Sequence, residues 1–454
     1  MAVLASLAAT PARAAPNLPL DDSDWIALRD ARARGLLPDL LGGIHVLGED
    51  QVAQALAAAG LPADPFLLPA AQAGPLGAPQ DGAREGAPDT FWLRPAERVT
   101  LRGFALGEHD RPYSLPVKPR NLAGDVGFSC EYQEGRPCGG GLGLVGEVDS
   151  SAGFGEVFSA TARVRLDLGN NGYAALAALD RAYVKAQLGV LALEAGRDVI
   201  ALGPSFRNGL LWSSHAAPID QLRASTRPFA LPFLDGDVLR VSLLYFIARL
   251  RQPLGRDGAL IDCTRVQFDL FNRVELGASR LLMFGGDGAP NVSFSDFVYE
   301  HIRARYPGGV PLGDNRVSAD LAVSVPQLAG ARAYLEISFE DFRRKFLNVL
   351  QVDTDYLVGL ELRALSVGLL RRLFVEVGTT GRVAEQSPDW VTGFSSAGRP
   401  FGTPLGPEGE SVYLRAELEV PGVRVAPWGE WLRFKSDTYV PNGDGAGGQR
   451  SRST

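Results

Sequence analysis

The sequence predicts an all-β fold, a transmembrane antiparallel β-barrel of about 14 to 18 strands with a small N-terminal helical region. Runs in which apolar and polar residues alternate recur between residues 96 and 440. Several runs reach the length of about nine to eleven residues that a tilted strand needs to cross a bilayer, whereas strands of soluble sandwiches usually have about five or six. The chain also begins with a segment typical of exported proteins, which supplies a route to an outer membrane.

Composition and charge narrow the class of protein. The chain has 454 residues, of which 46% are hydrophobic, and its net charge is −7. This composition is typical of a globular protein, and a mild negative charge argues against nucleic acid as a partner. The best candidate for a helical membrane span, Val238–Leu250, is interrupted by Arg240 and Arg249. A membrane location would therefore depend on strands.

Residues 1–15 resemble the end of a secretory signal peptide. They are rich in alanine and contain the A-x-A cleavage pattern Ala12–Ala14, while a disordered alanine-rich start is the alternative. The basic region that normally precedes the apolar part is missing, so we expect a truncated signal peptide and a true start further upstream. Export agrees with the spacing of Cys130 and Cys138, which suits a disulfide across a loop, whereas Cys263 is expected to be a small buried or lipid-facing side chain.

The N-terminal region after the signal peptide, residues 16–60, predicts helices. Asp22–Asp24 can cap a first helix, and a second helix is predicted over residues 49–59. Both are too short to be stable alone and must pack against another part of the chain. Residues 61–95 contain seven prolines and predict a linker, and residues 441–454 predict a polar tail.

The predicted barrel, residues 96–440, rests on alternation of period two. The clearest runs are residues 162–168, 181–188, 318–325, 355–363 and 412–420. Each run has one apolar face and one polar face, and the polar faces carry charges of both signs. A soluble sandwich would expose the polar face to water, whereas an outer-membrane barrel turns the apolar face to lipid and the charged face to its lumen. Strand length and the export signal favour the membrane barrel.

The stretch Ala201–Phe233 interrupts the strand pattern. It contains a Gly203-Pro204 turn, the pair Asn208-Gly209 and three further prolines, which argue against a continuous helix or a central strand. A connection of this length with local apolar anchors predicts either a binding loop or a packed insertion.

This stretch resembles the Wzi family of outer-membrane capsule assembly proteins. The matching positions are Gly203, Pro204, Phe206, Leu211, Ser213, Ala216, Pro218, Pro228 and Phe229, with further matches in Leu276–Gly286 and Gly402–Pro407. The chain departs from the family pattern at Ser205 and His215. The resemblance implies a large antiparallel barrel in the cell outer membrane, with N-terminal helices at its periplasmic end. It also implies a lectin-like role in which capsular or exported polysaccharide is held at the cell surface, with outer-membrane lipid around the barrel and the polysaccharide export machinery as a further candidate partner.

Residue types within the same stretch suggest how polysaccharide could be bound. Aromatic faces pack against the C–H surfaces of sugars, and arginine guanidinium groups bind the carboxylates of uronic acids. The candidate polysaccharide-binding residues are Phe206, Arg207, Trp212, His215, Arg223 and Arg227. The alternative interpretation is that Trp212 and the leucines before it fill the barrel and that the arginines pair with acidic lumen residues.

Catalytic chemistry finds no support in the sequence. Ser213, Ser214 and His215 are adjacent in the chain and have no acid placed to complete a triad. The four histidines are far apart, and no cysteine–histidine spacing predicts a metal site. We therefore expect a protein without cofactor that is not an enzyme. A porin-like channel, favoured by the charged lumen faces, and a secreted β-rich carbohydrate-active enzyme are the alternatives.

Overall fold

The structure is a computed structural model of the chain. It describes residues 16–17, 32, 43–44, 48, 91–106, 141–155, 157–169, 176–207, 209–231, 238–250, 258–289, 293, 295–298, 313–340, 354–381, 384, 387, 390, 393–396, 399–403, 405, 408–420, 423–433, 438–441 and 448–451. The predicted signal peptide, the Cys130–Cys138 disulfide and most of the predicted helical region lie outside these residues. Among the helices of the described residues, none combines the length and the hydropathy that a membrane span requires.

Antiparallel strands make up most of the described chain. They are β1 (Phe91–Leu106), β2 (Gly141–Phe154), β3 (Phe158–Gly169), β4 (Leu176–Leu188), β5 (Leu191–Asp198), β6 (Ile219–Thr226), β7 (Phe229–Ala230), β8 (Leu239–Arg249), β9 (Leu260–Leu270), β10 (Val274–Phe284), β11 (Gly313–Val325), β12 (Ala331–Glu340), β13 (Thr354–Leu362), β14 (Leu370–Thr379), β15 (Ser395–Ser396), β16 (Arg399–Pro400), β17 (Glu410–Val420), β18 (Val423–Val425), β19 (Trp428–Arg433), β20 (Thr438–Pro441) and β21 (Gly448–Ser451). Within the described residues, Arg32 is helical and a helical turn occupies residues 295–298.

The strands pair with their neighbours in chain order and form one large sheet. The pairing runs from β1 to β6, then through β8 to β14, and on to β17 and β19. The short strands β7 and β18 add to β8 and β17, which gives 17 strands in the described part of the sheet, within the predicted range. Two small hairpins, β15–β16 and β20–β21, form separate two-stranded sheets that are not paired with the large sheet.

The two faces of the sheet are the reverse of those in a soluble protein. On β3, Val164, Leu166 and Leu168 are 41–52% exposed, whereas Arg163 and Arg165 between them are 1% and 7% exposed. The other four alternating runs follow the same rule. Charged residues are almost never fully buried unless they are paired, so a charged interior behind an apolar exterior indicates a wall between lipid and a polar lumen. The predicted membrane type of barrel is confirmed, and a soluble sandwich would show the opposite arrangement.

The strand register aligns the outward apolar residues into a continuous belt. The belt consists of Phe268, Leu276, Leu321, Leu335, Val358, Val377, Val412 and Trp431 on β9–β14, β17 and β19, each opposite the next and each 37–54% exposed. A one-residue slip in any pair would turn these side chains inward and the charges outward. The belt therefore fixes the register of half of the barrel.

The two ends of the barrel differ in the length of their connections. Short turns such as Phe154–Phe158, Leu188–Leu191 and Leu270–Val274 close one end, which we call the short-turn end. The other end, the long-loop end, carries residues 107–140, 199–218, 285–312 and 380–409 between its strands.

Two predicted boundaries, and one expectation about the stretch Ala201–Phe233, differ from the structure. β1 begins at Phe91, so residues 91–95 of the predicted linker are strand, and β21 lies within the predicted polar tail. The expectation that Ala201–Phe233 contains no central strand is wrong, because β6 pairs with both β5 and β8. The prolines permit this strand: Pro218 precedes its first residue, and Pro228 lies where the register shifts between β6 and β7.

Candidate functional site

The connection between β5 and β6 lies inside the barrel, and we call residues 199–218 the plug. Its described residues are buried except Ser214, Ala217 and Pro218, which are half-buried. Both ends of the plug start from the long-loop end, and its tip extends deep into the lumen. There the carbonyl of Pro204 accepts a hydrogen bond from Nη1 of Arg332 at 2.9 Å, and Arg332 is the second residue of β12, next to the short-turn end.

The plug contacts strands that are far apart in the sheet. Trp212 packs edge-on against Phe246 of β8, with 5.1 Å between the ring centroids. Arg207 donates from Nη2 to Glu430 of β19 at 3.1 Å. One loop can reach both strands only if the sheet curls around it, so the barrel encloses the plug.

Two glutamates of the wall hold the backbone of the plug. Glu376 on β14 accepts from the successive N–H groups of Phe206–Arg207 at 3.0 and 3.2 Å. Glu336 on β12 accepts from the N–H groups of Leu210–Leu211 at 3.1 and 3.4 Å. A buried N–H group that loses its acceptor costs about 1–3 kcal/mol, so these carboxylates stabilise the inserted position of the plug.

Two glycines make room for this arrangement. The Tyr334 hydroxyl donates to Glu376 at 2.8 Å across the position of Gly359, where a Cβ atom would lie 2.0 Å from the Tyr334 ring. Gly203 of the plug has a φ of +94°, and a Cβ atom there would lie 2.7 Å from a carboxylate oxygen of Glu336. A larger residue at either position would displace the glutamate–plug contacts.

Trp212 fixes the plug to the connection that follows β14. Its indole stacks on Phe401 with 4.1 Å between centroids and an interplanar angle of 13°, and it is 1% exposed. The adjacent Ser213 N–H donates to the Phe401 carbonyl at 2.6 Å, and the Ser213 hydroxyl donates to the Gly402 carbonyl at 2.6 Å. The plug and residues 401–402 therefore form one packed unit, together with Phe246 on the wall.

Phe206 and Arg207 occupy a second aromatic cluster near the tip of the plug. Phe206 stacks on Phe374 with 4.5 Å between centroids and contacts Tyr413 at 6.0 Å. The guanidinium of Arg363 lies 4.8 Å from the Phe374 ring centroid. Both Phe206 and Arg207 are buried.

Arg223 belongs to a polar cluster that holds a residue of the N-terminal region. It points into the lumen from β6 and pairs with Glu194 and Asp198 of β5. The Asn17 carboxamide donates to Glu194 at 2.6 Å and to Asp198 at 3.1 Å, and it accepts from Lys185 at 2.9 Å. Removing one member of such a buried network leaves an uncompensated charge, so the cluster anchors Asn17 to the wall.

The remaining candidates do not form a reactive site. His215 is buried, and its backbone N–H donates to the Ser213 hydroxyl at 3.1 Å. The Ser213 hydroxyl proton is directed to a backbone carbonyl, so this geometry does not provide an activated nucleophile. Arg227 is half-buried. Its backbone N–H donates to the backbone carbonyl of Val190, at the short-turn end, at 2.8 Å. Within the described residues, no group of three or more His, Cys, Asp or Glu side chains could hold a metal ion.

Five of the six predicted polysaccharide-binding residues are thus buried, four of them in the plug and Arg223 in the polar cluster on β5 and β6. The arginines at positions 207 and 223 pair with lumen acids, as the alternative interpretation expects, and the indole of Trp212 is enclosed by other rings. Polysaccharide contact by these residues stays a prediction.

The positions that match the family pattern shape the plug. Gly203 and Pro204 lie at its tip, and Ser213 bridges to Gly402. The Ala216 N–H donates to the Ser213 carbonyl at 3.2 Å, and Pro218 ends the plug before β6.

Sequence reasoning missed the residues that hold the plug. Glu336 and Glu376 occupy inward positions of their strands, as alternation would predict. The cross-strand neighbours of Glu336 are Asp320 and Leu357, and Glu376 lies opposite Gly359, so none of these neighbours is a basic partner. An inward acid without a basic neighbour is a usable signal, but it requires the strand register, which the sequence does not provide.

Replacing Trp212 with alanine is expected to destabilise the barrel by about 3–5 kcal/mol, because the indole fills space between Phe401 and Phe246. Unfolding of the purified barrel in urea or by heat measures the change. The matched control is Trp431→Ala, which removes an indole that is 53% exposed on the outer face. Equal stability of the two variants would contradict the packing role of Trp212.

The comparisons with known proteins agree with this architecture. A family model described as capsule assembly protein Wzi matches residues 125–419. The solved structure of Wzi from Escherichia coli, described as an outer-membrane protein involved in group 1 capsule assembly and a carbohydrate-binding β-barrel, aligns with a TM-score of 0.64 at 17% identity over 93% of this chain and 86% of that chain. A mutant of Rh. blastica porin aligns with a TM-score of 0.38 at 9% identity over 76% of this chain and 95% of that one, which does not establish a shared fold. No curated protein matches the chain.

Proposed function

The chain belongs to the Wzi family of capsule assembly proteins, and from this premise we propose that it is a non-enzymatic outer-membrane barrel that attaches capsular or exported polysaccharide to the cell surface. Family membership over residues 125–419 is the observation that carries the polysaccharide part of this proposal. The apolar exterior and the charged lumen support the membrane part.

The connections support an orientation for the barrel. Bacterial outer-membrane barrels have short periplasmic turns and longer extracellular loops. In this proposal the long-loop end therefore faces the outside of the cell. Arg32 then lies near the periplasmic end, because it forms an ion pair of 2.7 Å with Glu275, beside the short turn between β9 and β10. Polysaccharide would meet the barrel at the long loops, above the plug.

The plug supports attachment rather than transport. A porin-like channel needs an open lumen, whereas here the plug crosses the lumen and is hydrogen-bonded to β12 and β14. In this proposal the buried residues Phe206, Trp212 and Arg223 fix the floor beneath the long loops. Arg227 lies at the short-turn end, away from the long loops, so it is not part of this proposed contact. Contact with the export machinery stays a prediction.

Purified barrel in detergent is expected to bind fluorescently labelled polysaccharide from the producing organism, with a saturable signal in fluorescence polarisation. An unrelated outer-membrane barrel in the same detergent is the control for nonspecific adsorption. The polysaccharide should keep its chain length after incubation, because the proposed role breaks no glycosidic bond. Absence of saturable binding, or shortening of the polymer, would contradict the proposal.

A further inference from the structure

The tip of the plug is also held from a second side, by two residues of the N-terminal region. Leu202 forms an isolated antiparallel β-bridge with Ile44. The backbone N–H of Gly203 donates to the Gly43 carbonyl at 3.0 Å. The preceding N–H, that of Leu202, donates to the Trp212 carbonyl within the plug at 2.8 Å. The tip therefore lies between the rest of the plug and Gly43–Ile44, which we call the latch.

The apolar residue of the latch is part of the packing around the plug. Ile44 is buried and belongs to the same apolar cluster as Leu202, Trp212 and Cys263. Cys263 is a residue of β9 and is 0% exposed. The cluster thus joins the latch, the plug and the wall of the barrel. Withdrawal of the latch would expose apolar surface of all three.

The glycine of the latch lies against the wall without room for a side chain. A Cβ atom at Gly43 would lie 2.4 Å from Nη2 of Arg265 and 2.5 Å from Oε1 of Gln267, both on β9. Arg265 is held in place, because its two Nη atoms donate to Asp320 at 2.7 and 3.0 Å. A larger residue at position 43 therefore displaces the latch rather than the arginine.

Other residues of the N-terminal region are anchored to the wall on both sides of the latch in sequence. Gly48 forms an antiparallel β-bridge with Asn17, whose carboxamide donates to Glu194 of β5 at 2.6 Å. Arg32 forms its ion pair of 2.7 Å with Glu275 of β10. The latch is thus connected through Asn17 and Arg32 to two separate parts of the barrel wall.

We propose that the latch couples the N-terminal region to the plug, so that the plug leaves its place in the lumen only when the latch withdraws. A coupling free energy between two sites is reciprocal. Release of the plug from β12 and β14 must therefore loosen the N-terminal region as well. A periplasmic partner that moves the N-terminal region would move the floor beneath the long loops. This inference goes beyond the proposed function and does not depend on which ligand meets the long loops.

The first test uses the native thiol of Cys263 as a reporter of latch and plug opening. A buried group reacts with a reagent in solution only when the structure around it opens. The full chain in detergent is treated with iodoacetamide, and alkylation at Cys263 is quantified by mass spectrometry of its peptide. Gly43→Val is expected to raise the alkylation rate about tenfold, because it removes a buried hydrogen bond and unpacks the cluster. Gly103→Val is the matched control and should react like the wild type, since a Cβ atom there meets no atom within 4 Å.

The second test examines the reciprocal effect. Trypsin cleavage after Arg32, whose side chain is 10% exposed, reports opening of the N-terminal region. The double variant Glu336→Leu/Glu376→Leu, which removes the acceptors of the plug on the wall, is expected to speed this cleavage. The control Glu336→Gln/Glu376→Gln keeps the acceptors and should be cleaved like the wild type.

Both tests are made on barrel whose folding is verified by heat-modifiable mobility on gels. Folded Gly43→Val with a wild-type rate of Cys263 alkylation would overturn the proposal. Unchanged cleavage after Arg32 in the folded leucine variant would overturn it equally. Saturable polysaccharide binding by the same wild-type preparation is measured in parallel, so that failure of the latch is distinguished from failure of the proposed function.

If Gly43→Val does not fold, the double variant Ile44→Cys/Leu202→Cys takes its place. Directly opposed residues of antiparallel pairs have Cα atoms about 4.5–5.5 Å apart, which suits a disulfide. Closing this disulfide is expected to slow alkylation of Cys263 below the wild-type rate, and reduction should restore it. Failure of the disulfide to form, or an unchanged alkylation rate once it has formed, would overturn the proposal.

Discussion

Replacing Glu336 and Glu376 together with leucine is expected to release the plug and increase the passage of ions through the barrel. The change removes the acceptors of the Arg207, Leu210 and Leu211 N–H groups. Three unsatisfied donors cost about 3–9 kcal/mol, and about 5.5 kcal/mol is enough to turn a 99:1 equilibrium into 1:99. The wild type should give almost no conductance in a planar bilayer, and the double variant should give resolved single-channel openings.

The matched control for this prediction is the double variant Glu336→Gln/Glu376→Gln. Its amide oxygens can accept the same N–H groups, so we expect a sealed barrel. If the leucine variant folds, inserts and stays as closed as the wild type, the two carboxylates do not hold the plug. Openings in the wild type would instead support a porin-like channel.

Replacing Val358 with arginine is expected to lower the amount of folded barrel in the outer membrane strongly. Val358 is the central residue of β13, belongs to the apolar belt and is 54% exposed. Arginine on the lipid face of a barrel costs about 2–4 kcal/mol at the midplane of the bilayer. Heat-modifiable mobility of the barrel on gels of isolated outer membranes measures the folded fraction.

The control is Leu369→Arg, an exposed position in the turn between β13 and β14. Near the membrane interface the same change costs only about 0–1 kcal/mol, so this variant should assemble almost normally. In a water-soluble protein, both substitutions would be exposed surface changes within about 0.5 kcal/mol of neutral. Normal assembly of Val358→Arg would therefore contradict the membrane account.

The barrel wall could be predicted because alternation is a local signal. Residues 162–168 already separate Val164 and Leu166 from Arg163 and Arg165, and the structure places these pairs on opposite faces. Alternation alone does not say which face is outside. Strand length and the export signal decided that question, and both were available in the sequence.

The role of the plug could be predicted only in part. Prolines and the Gly203-Pro204 turn marked an insertion, and they also concealed β6, since proline at a strand boundary looks the same in sequence as proline inside a loop. The partners of Trp212 and Phe206 are Phe401 and Phe374, far away in the chain. Such contacts depend on how the sheet curls, which no local pattern contains.

Capsule retention in a strain that lacks this gene shows whether the barrel attaches polysaccharide to the cell surface. We expect the total amount and the chain length of the polysaccharide to stay unchanged, while most of it moves from the cell surface to the medium. Restoring the wild-type gene should reverse this. Polysaccharide that stays on the cells of the deletion strain at the wild-type level would contradict the proposed role in attachment.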